Sequence, residues 1–456
     1  MRSCLWWDKA FFRHVLFLAF PMVLQELMTA SLHIVDGMMV SGLGDAAYSA
    51  VTQANRFTFV FQIFLFGAST GSAIFLGQYW GARDIRRVRH AMGLGLAASL
   101  LLSLPFALTG LLFHRQVIGC LLRPGESFEL AVSYLRIIAP GYLLMPLGYM
   151  YSAALKAAET TYIPMLAGFA GIVVNTALCY VLIYGRLGFP AMGVDGAAVA
   201  TVISTFLSLM INIAFAYGKK LPAGAKLKEL VCRDRAFIRK YVRTALPVVF
   251  NEGLWGLGTT MYSVFYGTMG DVNISAVGVC ATIGDLLWVF IFSATGATAI
   301  IVSKILGTGD KERGYLYAKR MLAGSMVTGI ALGVLMFFLR TPMVGLFTEL
   351  SQPARDKAGL LLLLNAAFLW TRSFNCVNVV GILRSGGDTV FSLALDAGAL
   401  WLLAVPAAGL AALVFHWPVE YVYCCTALDE ILKLFIGIPH FTARKWMNVL
   451  TEQKEA

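Results

Sequence analysis

Apolar residues fall along this chain in long runs separated by short polar stretches, and the runs are long enough to cross a lipid bilayer. One crossing needs about 20 apolar residues. Twelve such runs can be drawn, near 13–40, 49–78, 90–113, 127–154, 163–184, 195–217, 241–266, 274–303, 319–339, 357–383, 391–414 and 418–438. The pattern predicts an all-α polytopic membrane protein. Against this background the polar residues of the first run stand out. Glu26, Thr29, His33 and Asp36 recur at i, i+3, i+7 and i+10 and draw one stripe along a helix. A carboxylate near the bilayer centre costs roughly 2.5–3.5 kcal/mol on insertion scales, so such residues usually face protein and take part in moving ions or protons. The stripe points to transport.

Composition agrees: 59% of the residues are hydrophobic and 13% charged. The 14 prolines and 44 glycines also suit membrane helices, which tolerate both better than helices in water do. A net charge of +11 could suggest nucleic acid. Its placement argues otherwise, because Lys and Arg concentrate in Arg83–Arg89, Lys219–Arg243 and Lys304–Arg320. With an inside N-terminus these stretches lie on one side, the positive-inside pattern of a twelve-helix protein with both termini in the cytoplasm. No nucleic-acid partner is expected. The eight cysteines, Cys4, Cys120, Cys179, Cys232, Cys280, Cys376, Cys424 and Cys425, show no C-x-x-C spacing and read as reduced fillers without metal or disulfide roles. Arg2 and Lys9 before an apolar run resemble a signal peptide. The run is too long and lacks an evident small-residue cleavage site, so it is expected to stay as the first helix.

Shifting the chain by 226 residues reveals a repeat. Pro21 falls on Pro247, Gln25-Glu26 on Asn251-Glu252, Gly44-Asp45 on Gly270-Asp271, and Gly81–Asp84 on Gly307–Asp310. With a slightly larger shift, Leu155-Lys156 matches Leu383-Arg384. The expected organisation is a six-helix lobe over 1–220, a basic linker over 221–240, a second six-helix lobe over 241–440 and a cytoplasmic tail over 441–456. Six spans per half make the repeats parallel, an arrangement in which transporters bind substrate between the halves and rock them. Glu26, His33 and Asp36 correspond to Glu252, Thr259 and Tyr262, which suggests that ion coupling lives mainly in the first lobe.

These residues together resemble the multidrug and toxic compound extrusion family of cation-coupled antiporters. The likeness rests on Pro21 through Asp36 to Gly44, on Gly77–Asp84, on Gly196-Ala-Ala and on Gly381–Thr389, in order across nearly the whole chain. It implies two lobes around a central cavity, with drug-like and often cationic compounds exported against inward H+ or Na+ flow. In the family an aspartate fifteen residues after the first-helix proline couples the ion, which here is Asp36 counted from Pro21. Its protonation is linked to bending at that proline. A fifth-helix asparagine of the polar site is matched by Asn175. Four residues on, many members have a second aspartate where this chain has Cys179, and His33 stands where asparagine is common. A sodium site would thereby lose a hard oxygen ligand, whereas a proton needs one titrating group, which favours H+. Second-lobe carboxylates used by other branches would fall at Gly256 and Ser373, so that sodium pattern is not supported.

The expected cycle runs through Asp36: burial disfavours its charge, protonation from outside removes a negative charge that held a cationic substrate, and inward release restores it. His33 could relay the proton. The alternative for Asp36 is a lasting ion pair with Arg56. Glu26 is read as a coupling or substrate contact, or else as a polar lock between helices, and Glu252 likewise. Trp255 could stack on a planar cation or simply pack. Thr201, Tyr262 and Asn375 are further cavity candidates beside ordinary interhelical bonding, as are Ser204 and Asn212. Asp285 and Asp396 have no evident partner, and Arg372 is expected to pair within the second lobe. No cofactor is expected beyond the coupling ion. The expected partners are a small-molecule substrate and the bilayer of a prokaryotic plasma (inner) membrane, with the protein monomeric. An enzyme finds no support, since no H-E-x-x-H, G-x-S-x-G or P-loop occurs. The two G-x-G-D sequences at Gly42–Asp45 and Gly307–Asp310 fall on opposite sides, where they could not form one dyad. The remaining alternative is a lipid-linked precursor flippase of related two-lobe fold, which would call for a basic central cavity.

Overall fold

A computed structural model describes residues 8–347 and 350–451. Arg2, Cys4 and the last residues of the tail lie outside the described residues. The chain is a succession of membrane-length helices joined by tight turns. Helix 1 is Lys9–Ser41, helix 2 Asp45–Gly81 and helix 3 Ile85–Leu112. Helix 4 is bent by 41° between Glu126–Leu143 and Met145–Ala157. Helix 5 is Tyr162–Tyr184, helix 6 Val194–Gly218, helix 7 Arg235–Gly267, helix 8 Asp271–Gly307 and helix 9 Lys311–Gly345. Helices 10 and 11 are Gln352–Leu383 and Thr389–Val414. Helix 12 is broken at Ala427 into Val419–Thr426 and Leu428–Thr442. Nine of the described helices are long and apolar enough to cross a membrane, and the bent helix 4 makes a tenth. Helix 7 carries Glu252, and helix 12 is divided into two shorter pieces and carries Asp429, Glu430 and Lys433.

The repeat is written into the turns. Gly44 and Gly270 both adopt positive φ, +105° and +93°, immediately before helices 2 and 8. That conformation favours glycine. Asp84 and Asp310 cap helices 3 and 9 by accepting from the Arg87 and Arg313 backbone N–H at 3.0 and 2.9 Å.

Two compact units emerge, one of residues 20–249 and one of residues 8–19 with 250–451. The division runs through helices 1 and 7, so the opening turns of each repeat's leading helix pack with residues of the other repeat. In the first unit Phe61, Leu65, Tyr142, Ile138 and Leu135 form a core between helices 2 and 4. In the second, Ile283, Leu287, Leu361, Leu369 and Leu400 bring helices 8, 10 and 11 together.

Each leading helix is held at its start by the same device. Asp8 Oδ1 accepts from the Ala10 and Phe11 N–H at 3.1 and 3.3 Å. Asp234 Oδ1 accepts from the Ala236 and Phe237 N–H at 3.0 and 3.2 Å. The other oxygen of each faces an arginine: Arg320 lies 3.5 Å from Asp8 Oδ2 and Arg87 2.8 Å from Asp234 Oδ2. Both guanidinium groups also sit over the neighbouring aromatic ring, Arg320 at 5.3 Å over Phe11 and Arg87 at 4.8 Å over Phe237. The Asp234 carboxyl is held below the usual carboxylate range, first by the Phe237 N–H and then by Arg87.

Candidate functional site

Helix 1 runs unbroken through Pro21. Proline has no N–H, so the Phe17 carbonyl one turn earlier loses its intrahelical donor and the helix is weak there. Fifteen residues on, Asp36 is partly buried and faces helix 5. Cys179 Sγ lies 3.8 Å from Asp36 Oδ1 and 3.6 Å from Asn175 Oδ1. A thiol has one proton, so it can serve only one of these acceptors at a time. Asn175, itself 1% exposed, reaches helix 6 through its Nδ2, 3.3 Å from Ser204 Oγ and 3.5 Å from Thr201 Oγ1. Asp36, Cys179, Asn175, Thr201 and Ser204 thus form one polar chain from helix 1 across helix 5 to helix 6. Among the described residues no ion pair joins Asp36 to Arg56. Asn55, next to that arginine, instead accepts from Tyr134 Oη at 3.4 Å.

Glu26 and His33 lie on exposed parts of helix 1. Thr29 Oγ1 returns to the Gln25 carbonyl at 3.0 Å. Glu26 stands within electrostatic reach of Lys156 at the end of helix 4. Its repeat counterpart is more explicit: Arg384 Nη1 donates to Glu252 Oε1 at 2.5 Å, with both residues buried. Since Lys156 matches Arg384, each half sets a glutamate within electrostatic reach of the matched cation, but only the second half closes it into an ion pair among the described residues.

The second unit contains a larger charged cluster. Lys433 Nζ lies 2.7 Å from Asp396 Oδ1, 2.8 Å from Asp429 Oδ2 and 4.0 Å from Glu430 Oε1. Asn251 donates to Asp396 Oδ2 at 2.8 Å and Asn375 to Glu430 Oε2 at 2.7 Å. Asn375 therefore belongs to this cluster. Among the described residues Tyr262 Oη is buried without a hydrogen-bond partner, and Trp255 is 39% exposed on helix 7. Arg372 Nη1 donates to Asn365 Oδ1 at 2.9 Å and lies over Tyr423. Among the described residues Asp285 has neither a hydrogen bond nor an ion pair. Sequence reasoning singled out Asp396 without a partner. Lys433 carries the missing signal, because Asp429, Glu430 and Lys433 fall at i, i+1 and i+4 in the last apolar run.

The family model described as MatE matches residues 21–181 and 247–422, both halves of the repeat. A probable multidrug resistance protein, YoeA, of Bacillus subtilis is 24% identical over 92% of this chain and 88% of its own length. A probable multidrug resistance protein NorM of Bradyrhizobium diazoefficiens is 28% identical over 89% of this chain and 87% of its own. Among solved structures, a MATE protein in the bent conformation superposes with a TM-score of 0.85 at 20% identity, covering 95% of this chain and 96% of that one. That structural likeness carries the two-lobe, twelve-helix fold, while the matched segments carry the family: this multi-pass membrane protein belongs to the MatE family of multidrug efflux transporters and is not an enzyme.

Proposed function

We propose that the protein is a secondary active exporter that exchanges inward H+ for outward organic, drug-like substrates, probing each side of the membrane in turn. Asp36 is the coupling acid and Asn175 its helix-5 partner. The observation that supports this reading is the setting of Asp36, a membrane-embedded carboxylate with a thiol and an amide chain beside it and, among the described residues, no cationic partner. A lasting ion pair would hold such a group charged. Here a proton has one acid to bind, while a sodium ion would meet sulfur at Cys179 where it prefers oxygen. His33, on the exposed side of the same helix one turn away, is a candidate relay. Pro21 supplies the point at which helix 1 can bend when the charge changes.

Glu26 and Glu252 fit the role of locks, given their matched cations Lys156 and Arg384. Trp255, Tyr262, Thr201 and Asn375 remain candidates for substrate contact. The concentration of Lys and Arg supports a plasma-membrane orientation with both termini inside.

Substrate charge sets what the exchange can achieve. One proton for one monovalent cation moves no net charge, and each pH unit then supplies about 1.36 kcal/mol, a tenfold substrate gradient. A neutral substrate would gain a further ~2.3 kcal/mol per 100 mV. The test uses proteoliposomes with imposed pH or sodium gradients and a panel of organic cations. Efflux by wild type should follow the pH gradient, and Asp36→Asn should abolish that dependence. Transport by Asp36→Asn with unchanged pH dependence refutes the coupling role.

A further inference from the structure

The segment between the repeats forms a built groove. A cavity of about 790 Å³ lies against the start of helix 3, and its lining includes Arg86, Lys228, Glu229, Val231, Arg233 and Asp234. Its shape depends on a close approach: a Cβ on Gly93 would lie 1.9 Å from the Leu230 carbonyl oxygen, so the linker can seat on helix 3 only over a glycine.

Both acids of the groove are already compensated. Glu229 takes Arg89 at 2.7 Å and Asp234 takes Arg87 at 2.8 Å. Arg86, Lys228 and Arg233 remain, and among the described residues none of them makes an ion pair. The groove therefore carries excess positive charge on three cationic side chains, which suits a phosphate.

Its rim is apolar. Leu227 is 83% exposed and Val231 58% exposed beside Lys226, Lys228 and Arg233. Helix 3, which begins at the groove, is one of the membrane-crossing helices, so the groove stands at headgroup level. Exposed apolar side chains flanking basic ones at that depth are the pattern of an interfacial segment. The other repeat lacks the pattern: with the 226-residue shift, Arg86, Arg89 and His90 fall on Glu312, Tyr315 and Leu316. The basic face is therefore not a requirement of the shared fold.

We propose that this groove binds the phosphate of an anionic phospholipid, with Arg86, Lys228 and Arg233 carrying the charge and Leu227 and Val231 lying against the acyl chains. The site is separate from Asp36 and stands whatever ion or substrate the transporter uses.

The test is a titration of the detergent-solubilised full chain with phosphatidylglycerol, phosphatidylcholine or inorganic phosphate, with bound molecules counted by native mass spectrometry. Phosphatidylglycerol should be retained in preference to phosphatidylcholine. The double variant Arg86→Gln/Arg233→Gln should weaken it by roughly 30-fold, while the charge-matched Lys311→Gln/Lys445→Gln leaves it unchanged. Leu227→Ser/Val231→Ser, which removes no charge, should also weaken phosphatidylglycerol. The proposal is overturned if both charge variants lose the lipid equally, if neither does, or if inorganic phosphate alone occupies the protein as well as the lipid. Should the arginine pair fail to fold, the Leu227 and Val231 variant decides, and unchanged retention there overturns it.

Discussion

Removing Arg384 should be among the most damaging single changes to the fold. The side chain is 3% exposed and its partner Glu252 12% exposed, at 2.5 Å separation. Asp396 lies within electrostatic reach of Glu252, so the glutamate has a like charge as its other neighbour. In Arg384→Met the carboxylate stays behind without compensation. Stranding one member of a buried pair costs about 3–5 kcal/mol, a large share of the roughly 5–15 kcal/mol that holds a typical domain together. Removing both charges is different. A buried pair replaced by neutral groups of similar volume is often close to neutral, so Glu252→Gln/Arg384→Met should recover most of the loss. The assay is a double-mutant cycle on unfolding in detergent, with melting midpoints read by fluorescence-detected size exclusion and free energies from denaturant titration. A coupling energy of about 2 kcal/mol or more is expected. Additive single effects within about 0.5 kcal/mol would refute the reasoning. Lys156→Met, opposite the more exposed Glu26, should cost much less, about 0–1 kcal/mol.

Three further outcomes follow from the same geometry. Gly93→Ala should lift the linker from helix 3, because backbone at 1.9 Å cannot yield as a flexible side chain would; faster proteolysis between Lys220 and Arg233 measures it, and wild-type protection refutes it. The Asp234 tie to Arg87 should persist from neutral pH down to about 4, since a carboxyl held below its usual range contributes stability above its unfolded value and loses it only as pH falls through the lower folded one. Linker proteolysis against pH should therefore stay flat above about 4, and loss of protection between pH 6 and 5 would contradict it. Cys179→Asp should place a second carboxylate beside Asp36 and confer sodium dependence on efflux in proteoliposomes, and an unchanged response to a sodium gradient would count against the proposed choice of ion.

Much of the scaffold was legible because membrane helices announce themselves locally. Apolar length, the Gly44 and Gly270 turns and the Asp84 and Asp310 caps are all short-range signals, and the 226-residue shift aligned them. The polar chain of the candidate site was half legible. Asp36 and Asn175 could be placed through resemblance to a family, but the thiol between them gained its meaning only from its distances to both. Partners far apart along the chain stayed hidden. Lys433 meets Asp396 only because helices 11 and 12 fold back together, and periodicity within one helix says nothing about the opposite wall. The Asp8 and Asp234 clamps were hidden differently: Asp8-Lys9-Ala10-Phe11 and Asp234-Arg235-Ala236-Phe237 obey the same shift, yet both look like ordinary polar helix starts until Arg320 and Arg87 arrive from elsewhere.

Those paired clamps bear on how the chain could be divided. A cut within 221–230 looks harmless by sequence, falling in a polar joint between two matched sets of six helices. It would nevertheless leave each fragment holding a foot whose shoe belongs to the other: the opening turns of helix 1 rest beside Tyr317 and Arg320, and those of helix 7 beside Phe75, Tyr79 and Arg87. The two pieces would have to be made together, and complementation between co-expressed fragments would report on these two helix openings more than on the severed joint.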